Sequence, residues 1–104
     1  MNRVRTKEEL ISILKDNFDE LRKFGVLRIG IFGSAVRDEL KEDSDIDLFI
    51  EFERGKLSFE NFGQLIEFLE KLLGREVDIL TPAGVDSIRV KSVRERIKRE
   101  ILTL

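Results

Sequence analysis

The chain contains no cysteine and no histidine. The first absence excludes disulfides, zinc–thiolate sites and thiol nucleophiles. The second excludes Ser-His-Asp triads, histidine-ligated zinc and the most common general base. Chemistry is left to carboxylates, hydroxyls, Lys, Arg, backbone amides and whatever metal these can hold. A metal bound by carboxylates alone is a hard cation, Mg²⁺ first and Mn²⁺ next. Tyrosine and tryptophan are also missing, so all eight aromatics are Phe. Phe has no polar handle, and these rings are expected in the core rather than on a base-stacking platform. No stretch approaches the ~20 apolar residues of a membrane helix, and Met1, Asn2, Arg3, Val4 and Arg5 lead into polar sequence without an apolar signal core. The expectation is a cytoplasmic protein with no membrane partner. Asn and Gln are scarce beside a charged fraction of 38%, a balance common in thermophilic proteins.

What is present fits one domain spanning residues 1–104, with a modest core. Lys plus Arg number 19 and Asp plus Glu 21, for a net charge of −2, without the basic excess of a general nucleic-acid binder. The balance conceals an asymmetry. Residues 38–53 hold eight acids and one base, whereas residues 88–104 hold six bases and two acids. An acidic centre is set against a basic tail.

Hydrophobic periodicity alternates helix with strand. Thr6 and Glu9 form a capping box, and Leu10, Leu14, Phe18 and Leu21 follow at helical spacing up to Lys23 and Gly25, predicting one helix over 6–23. Val26–Phe32 reads as a strand and residues 35–41 as a short helix. Asp45–Phe52 reads as a strand with Ile46, Leu48, Ile50 and Phe52 on one face and Asp45, Asp47 and Glu51 on the other. Ser58 caps a helix carrying Phe62, Leu65, Ile66, Leu69, Leu72 and Leu73, closed by Gly74. Glu76–Leu80 is a third strand, and a last helix carries Val90, Val93, Ile97 and Ile101 and runs to Leu104. The fold class is α/β of the α+β kind: a small mixed three-stranded sheet packed with about four helices.

Three features on this scaffold carry chemistry. Gly33-Ser34 follows a strand directly, where free backbone N–H groups and a hydroxyl favour an anion and glycine lets a phosphate approach. Asp45 and Asp47 open an otherwise apolar strand, although Asp is disfavoured in strands. Spaced two apart they share a face, ~6.6 Å apart along it, and repel unless a cation lies between them. Asp78 faces away from Val77 and Ile79, and it joins the pair if its strand neighbours theirs, across ~4.8 Å. Three carboxylates beside a phosphate-cradling turn suit two-metal phosphoryl or nucleotidyl transfer, with no histidine needed.

At these residues the chain resembles the DNA polymerase β-like nucleotidyltransferase superfamily. The shared pattern is Gly33-Ser34-Ala35-Val36-Arg37, then Ser44-Asp45-Ile46-Asp47-Leu48, then Val77-Asp78-Ile79. Its length and tail are similar to the minimal nucleotidyltransferase (MNT) group, which includes antitoxin partners of HEPN-domain toxins; the likeness covers about residues 8–103. The resemblance implies the polymerase β palm-like fold. It implies Asp45, Asp47 and Asp78 as catalytic and metal-holding residues, with Asp78 helping to activate the acceptor hydroxyl. Gly33 and Ser34 would hold the triphosphate, with Arg37 as a further nucleotide (phosphate) contact or a packing contact. It also implies Mg²⁺ (or Mn²⁺) as cofactor, an NTP substrate with ATP first, and a HEPN toxin as partner and acceptor. In one departure, many members carry Gly after the arginine; here it is Asp38, an acid that either meets the phosphates or points outward.

Two functions from different classes follow. One is a Mg²⁺-dependent nucleotidyltransferase moving an NMP, AMP from ATP first, to a hydroxyl of a protein partner, as the antitoxin of a HEPN-type toxin. The other is a catalytically weak or inert antitoxin, a binding module that neutralises its partner by complex formation. Other Asp-x-Asp chemistries fit less well. In haloacid-dehalogenase-type phosphatases the acidic pair follows its strand, and a P-loop is absent here. The bases between Arg89 and Arg99 are interrupted by Glu95 and followed by Glu100, more like a solvated helix face than a nucleic-acid footprint.

Overall fold

The computed structural model describes residues 3–104. Its elements, in chain order, are α1 (Lys7–Asp16), α2 (Phe18–Lys23), β1 (Val26–Phe32), β2 (Ile46–Phe52), α3 (Phe59–Leu73), β3 (Val77–Leu80), α4 (Pro82–Asp86), α5 (Lys91–Glu100) and β4 (Leu102–Thr103). The sheet order is β3-β2-β1-β4, with β2 and β3 parallel and the other pairs antiparallel. The sheet is therefore mixed, as expected, but four-stranded rather than three-stranded. Among the described residues no helix is long and apolar enough to cross a membrane.

One sheet face makes the core. Ile46, Leu48 and Ile50 of β2 and Ile29 and Ile31 of β1 pack with Leu10, Leu14, Leu21, Leu65, Leu69 and Leu73, all buried. The period-2 pattern of the strands and the period-3.6 pattern of the helices meet on this surface. The opposite face carries Asp47, Phe49 and Glu51 of β2 and Asp78 and Leu80 of β3. Seven of the eight phenylalanines are at least half-buried; Phe59, at the start of α3, is 98% exposed and departs from the expected core role.

Three expected elements differ. The helix over 6–23 is interrupted at Asn17, whose side chain donates to the Ile13 carbonyl at 2.8 Å. Asn competes locally for backbone groups, and the apolar stripe resumes at Leu21 beyond the break. The short helix expected over 35–41 is a run of turns ended by Asp38, whose φ of 55° leaves the helical region. The last helix stops at Glu100; Ile101 is extended, and Leu102–Thr103 pair with Ile31 and Gly30 of β1. A Cβ at Gly30 would lie 2.9 Å from the Leu102 carbonyl oxygen, so this glycine admits the fourth strand.

A buried arginine fastens the loop before β2. Arg75 Nε donates to the Val4 carbonyl at 2.7 Å, and Nη1 donates to the Lys41 and Ser44 carbonyls at 2.8 Å each. One guanidinium thereby ties the N-terminal segment to the residues just ahead of Asp45. Replacing Arg75 with Met orphans these carbonyls, and denaturant unfolding is expected to show a loss of about 2–4 kcal/mol.

Candidate functional site

The strand pairing brings the candidate residues together. Asp47 lies opposite Asp78 in the parallel β2–β3 pair and opposite Phe32 in the antiparallel β1–β2 pair. Phe32 is followed at once by Gly33-Ser34, so the turn leaves the sheet at Asp47's side. Asp45 lies one residue ahead of β2 and is exposed, as is Asp78; Asp47 is half-buried. The neighbour relation between the two acidic strands, conditional in the sequence, is present.

Gly33 and Asp47 are matched to each other. Gly33 has φ 67°, a region that side chains occupy at a cost, and a Cβ there would stand 2.2 Å from Asp47 Oδ2. The glycine of the Gly-Ser turn is therefore needed twice, for its backbone and for the room it leaves the carboxylate. Gly33→Ala is expected to lower stability by at least about 1–2 kcal/mol from the left-handed conformation alone and to push Asp47 off its position. Thermal melting reads the first effect and a crystal structure the second.

The electrostatics of the site bear on Asp47. Partial burial holds the Asp47 carboxyl above its ordinary pKa, and the negative charges of Asp78 and Asp45 push it further; Arg37 opposes this and Glu100 adds to it. The donor set fits a hard cation: oxygen ligands only, with a half-buried carboxylate whose ionised form is disfavoured by two like charges. Among the described residues no three acidic side chains already close on a common point. The donors that would hold a cation are Asp45 and Asp47 from β2 and its approach, with Asp78 from β3.

The raised Asp47 pKa carries a sign. Ionised Asp47 costs the folded state stability, and the cost is in full force above the raised pKa. It disappears as the pH falls below the ordinary carboxylate value, where folded and unfolded forms are both protonated. Asp47→Asn is therefore expected to raise the melting temperature at neutral pH, without added divalent cation, and to lose that advantage in acid.

Arg37 and Asp38 are placed differently from each other. Arg37 donates to Glu39 Oε1 through Nε at 2.6 Å and to Glu100 Oε1 through Nη1. It is close enough to Asp47 to stabilise that carboxylate, but both contacts engage it with acids. Asp38 Oδ1 accepts the Lys7 backbone N–H at 2.9 Å, at the start of α1. Asp38 stands in a run of turns rather than on a helix, and its carboxylate serves the N-terminus of α1, where negative charge is favoured. Its positive φ explains why glycine is a natural occupant of the position. The residue that sequence reasoning missed is Glu100, 63 positions from Arg37, for which the local pattern gives no signal.

Residues 8–102 match the nucleotidyltransferase domain family. The chain is 45% identical over 93 residues to protein adenylyltransferase MntA of Thermococcus cleftensis, covering 88% of this chain and 93% of that protein. A solved structure assigned as a minimal nucleotidyltransferase superposes with a TM-score of 0.75 at 32% identity, covering 95% of this chain and 96% of the other. A chain from a toxin–antitoxin crystal structure with AMP-PNP shares the fold, with a TM-score of 0.59 at 20% identity over 93% of this chain and 70% of that one.

Proposed function

Since the chain belongs to the nucleotidyltransferase domain family and is a transferase, we propose that it moves AMP from ATP to a hydroxyl of a protein partner, as the antitoxin of a HEPN-type toxin in the cytoplasm. The observation that carries the reading is the pairing of Asp47 with Asp78 beside Gly33. Similarity to a protein adenylyltransferase supports a protein acceptor, and the shared fold with a chain of a toxin–antitoxin structure supports a toxin as that acceptor.

The residues divide the work. The backbone N–H groups of the Gly33-Ser34 turn and the Ser34 hydroxyl receive the triphosphate. Asp45, Asp47 and Asp78 would hold Mg²⁺, or Mn²⁺ in its place, which supplies charge stabilisation on the phosphate oxygens. The acceptor hydroxyl oxygen bonds to the α-phosphorus as the bond to pyrophosphate breaks. Exposed Asp78, on the rim of the face, takes the hydroxyl proton. Asp38 stays out of this chemistry because its carboxylate is spent on α1.

Incubation with labelled ATP, Mg²⁺ and the proposed HEPN-type partner is expected to label that partner. Asp45→Asn and Asp47→Asn are each expected to lower the rate more than about a hundredfold, in line with losing a group that stabilises transition-state charge. Undiminished labelling by the Asp45→Asn, Asp47→Asn double variant contradicts the reading.

The exposed basic side chains of α5, including Arg89 just ahead of it, Lys91 and Arg99, favour a second reading in which the chain neutralises an acidic partner by binding alone. A variant with Asn at positions 45, 47 and 78 separates the two. Protection by that variant supports binding alone; loss of protection with the complex still formed supports transfer.

A further inference from the structure

The C-terminal helix reaches the candidate site through one side chain. Glu100 closes α5 and accepts a hydrogen bond from Arg37 Nη1, while its second oxygen lies 3.8 Å from Arg96 Nε. Its side chain is 21% exposed against 51% for Arg37, so the contact lies over a carboxylate largely withdrawn from water. Its position is fixed from behind. The next residues form β4, and the Leu104 N–H donates to the Ile29 carbonyl at 2.9 Å. The Arg37 backbone N–H donates to the Gly33 carbonyl at 3.4 Å, which places the Arg37–Glu100 pair beside the Gly33-Ser34 turn.

We propose that Glu100 is a positioning residue that competes with the incoming triphosphate for Arg37, latching the motif loop to the C-terminal helix until nucleotide displaces it. The proposal rests on the reading of the Gly33-Ser34 turn and the aspartates as a nucleotide site. A guanidinium carries one positive charge and five N–H donors. Here Glu39 occupies Nε and Glu100, which also lies near Arg96, occupies Nη1, so both acids offset the charge of Arg37. In this arrangement Arg37 offers an arriving phosphate directional donors but little net charge. A triphosphate carries several negative charges and outcompetes one carboxylate for the guanidinium. Glu39, two residues away on the same loop, continues to hold Nε while Nη1 changes partner. The latch thus sets the cost of nucleotide entry and ties it to the placement of α5 and β4.

The test is calorimetric titration of the wild-type protein, Glu100→Gln, Arg37→Gln and the double variant with a non-hydrolysable ATP analogue and Mg²⁺. Glu100→Gln is expected to bind about two- to fivefold more tightly, the range of a half-exposed ion pair. In the Arg37→Gln background the same change is expected to bring no gain. A structural role for Glu100 predicts the opposite sign, since loosening the loop weakens binding. Unchanged or weaker binding by Glu100→Gln overturns the latch while leaving the nucleotide site standing. A gain that persists without Arg37 also overturns it, by assigning the effect to the general field around Asp47. Binding by none of the four proteins overturns the nucleotide-site reading and the latch with it.

Discussion

The register between β2 and its two neighbours is the constraint on which the site depends. It sets Asp47 against Asp78 on one side and against the end of β1 on the other, where Gly33 leaves the space its carboxylate occupies. A slip of one residue in either pairing would send Asp47 into the core and Leu48 or Ile46 to the face. The same alternation that buries Ile46, Leu48 and Ile50 therefore aims the acid, and the core stabilises a juxtaposition of like charges that the site alone disfavours. The stability lost to crowded carboxylates is supplied by apolar burial on the other side of a sheet one residue thick.

The surrounding devices hold that register's edges. Arg75 fastens the loop that leads into Asp45, and Asp38 ends the turns after Gly33-Ser34 while anchoring the start of α1. Glu100 connects the C-terminal helix to the same loop through Arg37. These three charged residues come from distant parts of the chain, and each ties a segment next to the motif residues to a remote one. The motif loop is consequently fixed by polar contacts at its ends, whereas the strands it joins are fixed by packing.

Much of this was legible in the sequence because it is local. The alternation in Asp45–Phe52, the Thr6 cap and the apolar stripe of α3 each depend on neighbours within one or two turns, and the structure has all three, although the Glu9 carboxylate accepts the Arg5 N–H rather than closing a box on Thr6. The parts that were not legible depend on long-range contacts. The fourth strand forms because β1 has a free edge and Gly30 leaves room for a backbone; the glycine within a strand was the one available sign of it. The pairing of Glu100 with Arg37 and the burial of Arg75 have no local signature, since charged residues in helix ends and turns ordinarily face water. The role of Asp38 was ambiguous in sequence because its backbone conformation decides where its carboxylate points.

In the proposed function the Asp45, Asp47 and Asp78 carboxylates form a cation site whose mutual repulsion a divalent ion relieves. The most direct measurement is the melting temperature at neutral pH with and without Mg²⁺, for the wild-type protein and for a variant with Asn at positions 47 and 78. Mg²⁺ is expected to raise the melting temperature of the wild-type protein and to leave that of the variant unchanged. An equal response in both proteins, or none in the wild type up to millimolar Mg²⁺, contradicts the cation site.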